Sequence, residues 1–149
     1  MGELLEESKL EFVCKPEIIK IFLKKLFNIL ESYKINIENL NFRIELASRE
    51  MLANAIEHGC SSAKKNSSFE KNYTIIVKLK IKSDKIILVV KDPGLGFDWE
   101  NCNLESELSF EEKGRGLKMI NEVVDRLEFN TSGNKITVYF YSREKIAEK

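Results

Sequence analysis

Between Tyr73 and Val90 the chain spells out a sheet with one face meant for a core. Tyr73, Ile75, Val77, Leu79 and Ile81 alternate with Thr74, Lys78, Lys80 and Lys82, a Ser83-Asp84 turn follows, and the apolar run IILVV then fills 86–90. Period-two alternation sends successive side chains to opposite faces of a strand, while an unbroken apolar run suits a strand in the middle of a sheet. The stretch therefore predicts a hairpin feeding a buried central strand. Its apolar face has to be covered, and helices are the available cover.

Two stretches upstream provide such helices. Pro16 suits a first helical turn, and Ile19, Phe22, Leu23, Leu26, Leu30 and Tyr33 then recur at three-to-four spacing, with Lys20, Lys24 and Lys25 towards the other side. That helix packs on the core with a solvated lysine face; a protein-partner surface is the other reading. A second helix, from about Ile37 to Cys60, carries the stripe Ile37, Leu40, Ile44, Ala47, Met51 and Ala55. Ahead of both, Leu10, Phe12 and Cys14 alternate with Glu11 and Val13, as in a short strand. Residues 61–72 and 98–113 read as loops, the latter acidic, and 117–127 as a helix with Leu117, Ile120, Val124 and Leu127 inward. The chain closes on a hairpin over 127–141, turning at Ser132-Gly133-Asn134. The expected fold is α+β: a two-layer α/β sandwich in which a mixed, mostly antiparallel sheet is covered on one face by helices, with residues 1–149 forming a single domain.

Composition narrows the function. With 24 Lys+Arg against 24 Asp+Glu the net charge is zero, so no global basic field draws in nucleic acid. No apolar run approaches the roughly 20 residues of a bilayer span, and the first residues lack the pattern of a leader, so a cytoplasmic protein without a membrane role is expected. Cys14, Cys60 and Cys102 are an odd number at wide spacing, which suggests reduced thiols rather than a disulfide framework.

Three short segments carry chemistry: REMLANAIEHG at 49–59, KDPGLGF at 91–97 and KGRGL at 113–117. On the second helix Asn54 and His58 fall within the apolar sector, with Glu50 at its edge. An inward carboxylate or amide costs roughly 1–3 kcal/mol unless it finds a partner. Either a structural polar network satisfies these groups, or they face a Mg²⁺ and phosphate cleft, since hard cations take oxygen ligands and residues four apart lie one turn from each other. In the second segment a strand ends in Asp92, an acceptor suited to an exocyclic amine, followed by Gly94 and Gly96, where a ligand can approach the backbone. A tight turn after a strand is the plainer reading. In the third, Gly114 and Gly116 stand immediately before a helix, with Lys113 and Arg115 adding charge, as an anion site at the helix start requires. It is neither a P-loop nor a dinucleotide fingerprint.

In this order the three segments resemble the N, G1 and G2 boxes of the Bergerat-type ATP-binding fold shared by gyrase, Hsp90, histidine kinases and MutL. Within that group the chain is most similar to bacterial anti-sigma-factor serine kinases, over about Phe12 to Tyr141. The resemblance implies ATP and Mg²⁺ as cofactors. It implies that Asn54 coordinates Mg²⁺ and that Glu50 is the general base for a serine hydroxyl of a protein substrate. It implies too that Asp92 receives the adenine amine in a pocket shaped by Gly94 and Gly96. Lys113, Gly114, Arg115 and Gly116 would contact phosphates, and His58 would line the same cleft. One departure stands out. The family often places Gly-Thr before its last apolar strand, the threonine helping to hold adenine; here the stretch is Asn134-Lys135-Ile136-Thr137, which weakens that contact or moves it to Thr137.

The function implied is an ATP-dependent serine/threonine protein kinase acting as an anti-sigma factor in a partner-switching pathway. Its expected partners are a sigma factor and a STAS-domain anti-anti-sigma protein, with the first two helices as a surface for a homodimer or a partner. A module that binds nucleotide and regulates by contact alone is the alternative, against which the presence of Glu50 speaks. A sensor histidine kinase is disfavoured, because His58 is the one histidine and lies inside the first box.

Overall fold

The alternation across 73–90 becomes two adjacent strands of a five-stranded sheet. The computed structural model describes residues 2–65, 73–98 and 112–149, without the side chains of 65 and 112–115. Its elements are β1 (Leu4–Val13), α1 (Ile18–Leu30), β2 (Tyr33–Lys34), α2 (Leu40–Asn54), a π-helical turn (Ala55–Cys60) and α3 (Ser61–Lys65). They continue with β3 (Thr74–Lys82), β4 (Lys85–Lys91), α4 (Glu112–Val123), β5 (Arg126–Phe129), β6 (Lys135–Tyr141) and β7 (Ala147–Glu148).

The sheet order is β1-β3-β4-β6-β5, and each neighbouring pair is antiparallel. Ile75, Val77, Leu79 and Ile81 of β3, Ile86, Leu88 and Val90 of β4, and Ile136, Val138 and Phe140 of β6 all point to one face. There they join Phe22 and Leu26 of α1, Ile44, Met51 and Leu52 of α2, and Leu117 and Ile120 of α4 in a single core. Lys78, Lys80 and Lys82 stand on the other face, half-buried among their neighbours. The two-layer α+β arrangement expected from the alternation is thus what the chain adopts.

α2 is the central helix and packs against both α1 and α4. Arg43 on α2 fastens the far end of α4: its Nε donates to the carbonyl of Val123 at 2.8 Å, and another guanidinium nitrogen lies 3.3 Å from Asp125. The same guanidinium sits 5.5 Å from the Phe140 ring centroid, a cation–π distance. Since α4 opens with the third glycine segment, this link helps fix where that segment meets α2.

Several boundaries differ from the sequence reading. β1 starts at Leu4 rather than near Leu10, and α1 ends at Leu30, leaving Tyr33 to pair with Glu148 in a two-stranded β2–β7 sheet. α2 starts at Leu40, because Asn39 takes a left-handed conformation (φ 55°) that no helix can include. The helix expected to run to Cys60 changes winding at Ala55, and the polar stretch read as a loop begins with α3; residues 66–72 lie outside the described part. α4 starts at Glu112, five residues earlier than expected, and ends at Val123, so Leu127 belongs to β5. The acidic segment 99–111, and Cys102 within it, also lies outside the described residues.

The cysteine reading is corrected too. Cys14 just past β1 and Cys60 at the end of the π-turn are joined as a disulfide, with Cα atoms 6.1 Å apart across 46 residues of sequence. Nothing in wide, odd spacing signals such a pair; only the packing of the π-turn beside the end of β1 creates it. Among the described residues no helix is long and apolar enough to cross a membrane.

Candidate functional site

The site grows from the change of winding on α2. In an α-helix residues five apart point about 140° away from each other, whereas in a π-turn they stack on one side. The turn at Ala55–Cys60 therefore brings Asn54, Ala55, His58 and Gly59 to a common cleft, with Met51 above them and Ser62 of α3 below. Opposite stand Val90 and Asp92 at the end of β4, Leu117 of α4, and the β5–β6 turn with Gly133, Asn134 and Ile136. Phe97 and Phe129 close one side as an edge-to-face pair, ring centroids 5.3 Å apart. The result is an apolar slot for something flat, with Asp92 as its acidic group.

Glycines make the cleft possible at three contacts. A Cβ on Gly59 would overlap the Asp92 carboxyl, so only glycine lets that side chain lie against the π-turn. A Cβ on Gly94 would stand 2.7 Å from the Gly59 carbonyl, while the Gly94 N–H donates to Asp92 Oδ1 at 2.8 Å. Gly96 has φ 89°, and any side chain there would strike the Ser132 carbonyl. The loop from Asp92 to Gly96 is thus clamped between the π-turn and the β5–β6 turn. Its first residue is held by Asp92 N–H donating to the Asn134 carbonyl at 2.9 Å.

At the other end of the cleft, Glu50 and Asn54 converge on α4. A Cβ built on Gly116 would be 3.0 Å from Glu50 Oε2 and 3.3 Å from Asn54 Oδ1. Both side chains are half-buried, and neither makes a hydrogen bond or ion pair among the described residues. A carboxylate and an amide oxygen side by side without protein partners form a hard-oxygen pair of the kind a divalent cation or a hydroxyl donor satisfies. Among the described residues no group of three or more His, Cys, Asp or Glu is placed to hold a metal. A cation here would thus need phosphate and water oxygens to complete its shell, which fits a nucleotide-borne Mg²⁺.

Asn54, His58, Asp92 and Gly96 line the cleft directly. Gly94 is buried behind Asp92, and Glu50 stands beside Gly116 without lining the apolar slot. Two expectations change. Gly116 is not ahead of α4 but inside it, where its N–H falls within the helical ladder; what its missing side chain provides is close approach to Glu50 and Asn54. Gly114 remains in the first turn, among the N–H groups that the ladder leaves uncovered. The side chains of Lys113 and Arg115 lie outside the described part. Thr137, expected as a site residue, does not line the cleft: β6 alternates, so buried Ile136 faces the cleft and Thr137 the far side of the sheet. Gly59 and Asn134 were not singled out from sequence, although Gly59 closes the first segment; a helical glycine beside an inward-facing stripe is the signal that could have marked it.

Residues 14–140 match the model of the histidine kinase-like ATPase domain. The chain belongs to that family. The match covers all three glycine-bearing segments and the described elements from α1 to β5 with all but the last residue of β6, and it supports ATP as the nucleotide of the domain. No curated protein matches the chain.

Proposed function

We propose that this ATPase-fold chain is a serine/threonine protein kinase that acts as an anti-sigma factor, holding a sigma factor in one state and phosphorylating a STAS-domain anti-anti-sigma protein in another. The observation that carries the kinase reading is the pairing of Glu50 and Asn54, oxygens without a partner among the described residues and set beside Gly116 at the phosphate end of the cleft. Nucleotide retention alone could use Asn54, Asp92 and the glycines; a carboxylate at Glu50 adds a base. The sigma-factor and STAS partners and a homodimer through the first two helices rest on the likeness of the three segments to anti-sigma-factor kinases, and a cytoplasmic location on the sequence, in which no apolar run approaches the roughly 20 residues of a bilayer span.

In this reading Asp92 accepts the adenine amine, the apolar walls from Met51 to Ile136 enclose the ring, and the start of α4 receives phosphate oxygens at Gly114. Asn54 would hold a Mg²⁺ ion, which when bound neutralises phosphate charge and orients the terminal group. Glu50 accepts the proton of the substrate's serine hydroxyl as its oxygen bonds to the γ-phosphorus and the bond to the β–γ bridging oxygen breaks, releasing ADP. Positioning and charge neutralisation supply most of the acceleration in such transfers, and a positioned base adds about 10²–10⁴-fold.

The test is a pull-down from native lysate with labelled ATP, followed by the purified pair. A labelled STAS-domain protein supports the kinase; a bound sigma factor with no labelled protein supports regulation by contact alone. Glu50→Ala is expected to bind ATP yet lose about 10²-fold or more in transfer, and Asn54→Ala to lose Mg²⁺-dependent affinity. Transfer at the wild-type rate by Glu50→Ala would remove Glu50 from the role of base.

A further inference from the structure

We propose that Asn130 and Asn134 form a two-amide relay that positions the Asp92 loop, and that this relay sets the preference of the cleft for a base bearing an amino group. The inference rests on the ATP reading and deepens it. Neither asparagine belongs to the three segments, and Ile136, which faces the cleft from the same hairpin, offers it no hydroxyl.

The relay follows from hydrogen-bond logic. Asn130 Oδ1 accepts three backbone N–H groups, from Gly133 at 2.9 Å, Asn134 at 3.0 Å and Lys135 at 3.1 Å. Only an oxygen can accept them, so the orientation of the Asn130 amide is dictated by the turn. Its Nδ2 must then face Asn134, and it donates to Asn134 Oδ1 at 2.6 Å. That in turn fixes the second amide: Asn134 presents Nδ2 to the Gly94 carbonyl, donating at 3.2 Å. Gly94 is the residue whose own N–H holds Asp92 Oδ1. The backbone of one hairpin is thereby read through two side chains into the position of a carboxylate on another.

The consequence is specific. Asp92 contacts Gly59 on one side, and on the other its loop is held by the Asn134 carbonyl and the Asn134 amide. Losing the amide frees Gly94 and lets Asp92 drift from the amine it must meet, while the phosphate end at Asn54 and Gly116, on separate elements, is untouched.

Two variants separate this from general support of the turn. Asn134→Ala removes the donor. Asn130→Asp keeps an oxygen for the three turn N–H groups, and aspartate suits such a turn as well as asparagine does, but its second oxygen can only accept. Asn134 must then reverse its amide and set an acceptor against the Gly94 carbonyl.

The measurement is the dissociation constant, with Mg²⁺, of ATP and of purine riboside triphosphate, which has the same ribose and phosphates but no amino group, with inorganic triphosphate as a third probe. Each variant is expected to weaken ATP by about three- to tenfold relative to purine riboside triphosphate, the worth of one hydrogen bond, and Asn134→Ala to leave the other two probes unchanged. Any charge effect of the new aspartate acts alike on both nucleotides and cancels in their ratio. The double variant should be no worse than Asn134→Ala, since both act on one link. Asn130→Asp with the wild-type ratio, or equal losses for both nucleotides, would overturn the relay. A wild-type chain that binds neither nucleotide would instead sink the ATP reading on which the relay stands.

Discussion

Gly59→Ala isolates the physics of the cleft from that of the fold. The added methyl would overlap the Cβ, Cγ and Oδ1 atoms of Asp92, a short side chain already tied by the Gly94 N–H at 2.8 Å. Forcing an extra carbon into such a site costs about 1–3 kcal/mol. Alanine also removes the entropic handicap of glycine in a helical turn, worth about 1 kcal/mol in the opposite direction. The net loss of stability is then about 0–2 kcal/mol, or a melting point lower by at most about 8 °C for a chain of this size. Binding should suffer far more. Asp92 has to move away from the π-turn, and a hydrogen bond to a charged group is worth about 1.5–3 kcal/mol, so ATP affinity should fall about 10- to 150-fold. Calorimetric titration with ATP gives the second quantity and a thermal melt without nucleotide the first. Wild-type ATP affinity in Gly59→Ala would refute the argument that contact with Gly59 is what places Asp92; a collapse of the melting point by tens of degrees would refute the ledger.

Three further outcomes follow from the packing. Arg43→Ala removes donors to the Val123 and Glu38 carbonyls and the pair with Asp125, and should cost about 2 kcal/mol, read as a melting point about 4–8 °C lower. Reduction of the Cys14–Cys60 bond, which closes a span of 46 residues, should destabilise by about 2–4 kcal/mol, whereas Cys14→Ser should melt at the same temperature with and without reductant. Burial, and then Glu6 beside Tyr33 and Glu128 beside Tyr139, raise both phenols above their ordinary value of 10.0. The fold thus favours the protonated phenols: their contribution is complete below that value and is lost as pH climbs through the raised folded values. Melting followed against pH in alkaline buffers should show stability falling there, and less steeply in Tyr139→Phe.

The sheet was legible because its pattern is local. Each strand of the β3–β4 hairpin shows its buried face in the spacing of Ile75 to Ile81 and in the run at 86–90, and no distant residue can reverse that periodicity. Helix ends were less legible. Asn39 looks helix-compatible until its left-handed backbone is seen, and the change of winding at Ala55 leaves no mark in the spacing of apolar residues.

For the site, residue types and order single out Glu50, Asn54 and Asp92 as candidates, because inward-facing carboxylates and amides need partners and glycine turns mark close approach. What the chain alone could not decide is who meets whom. That Gly59 faces Asp92, that Gly116 faces Glu50 and Asn54, that Ile136 rather than Thr137 looks into the cleft, and that Cys14 reaches Cys60 are all contacts between elements far apart in sequence. Periodicity and residue chemistry act over a few residues and are written in the chain; the pairing of distant surfaces depends on how the helices cross the sheet, which only the packed tertiary structure settles.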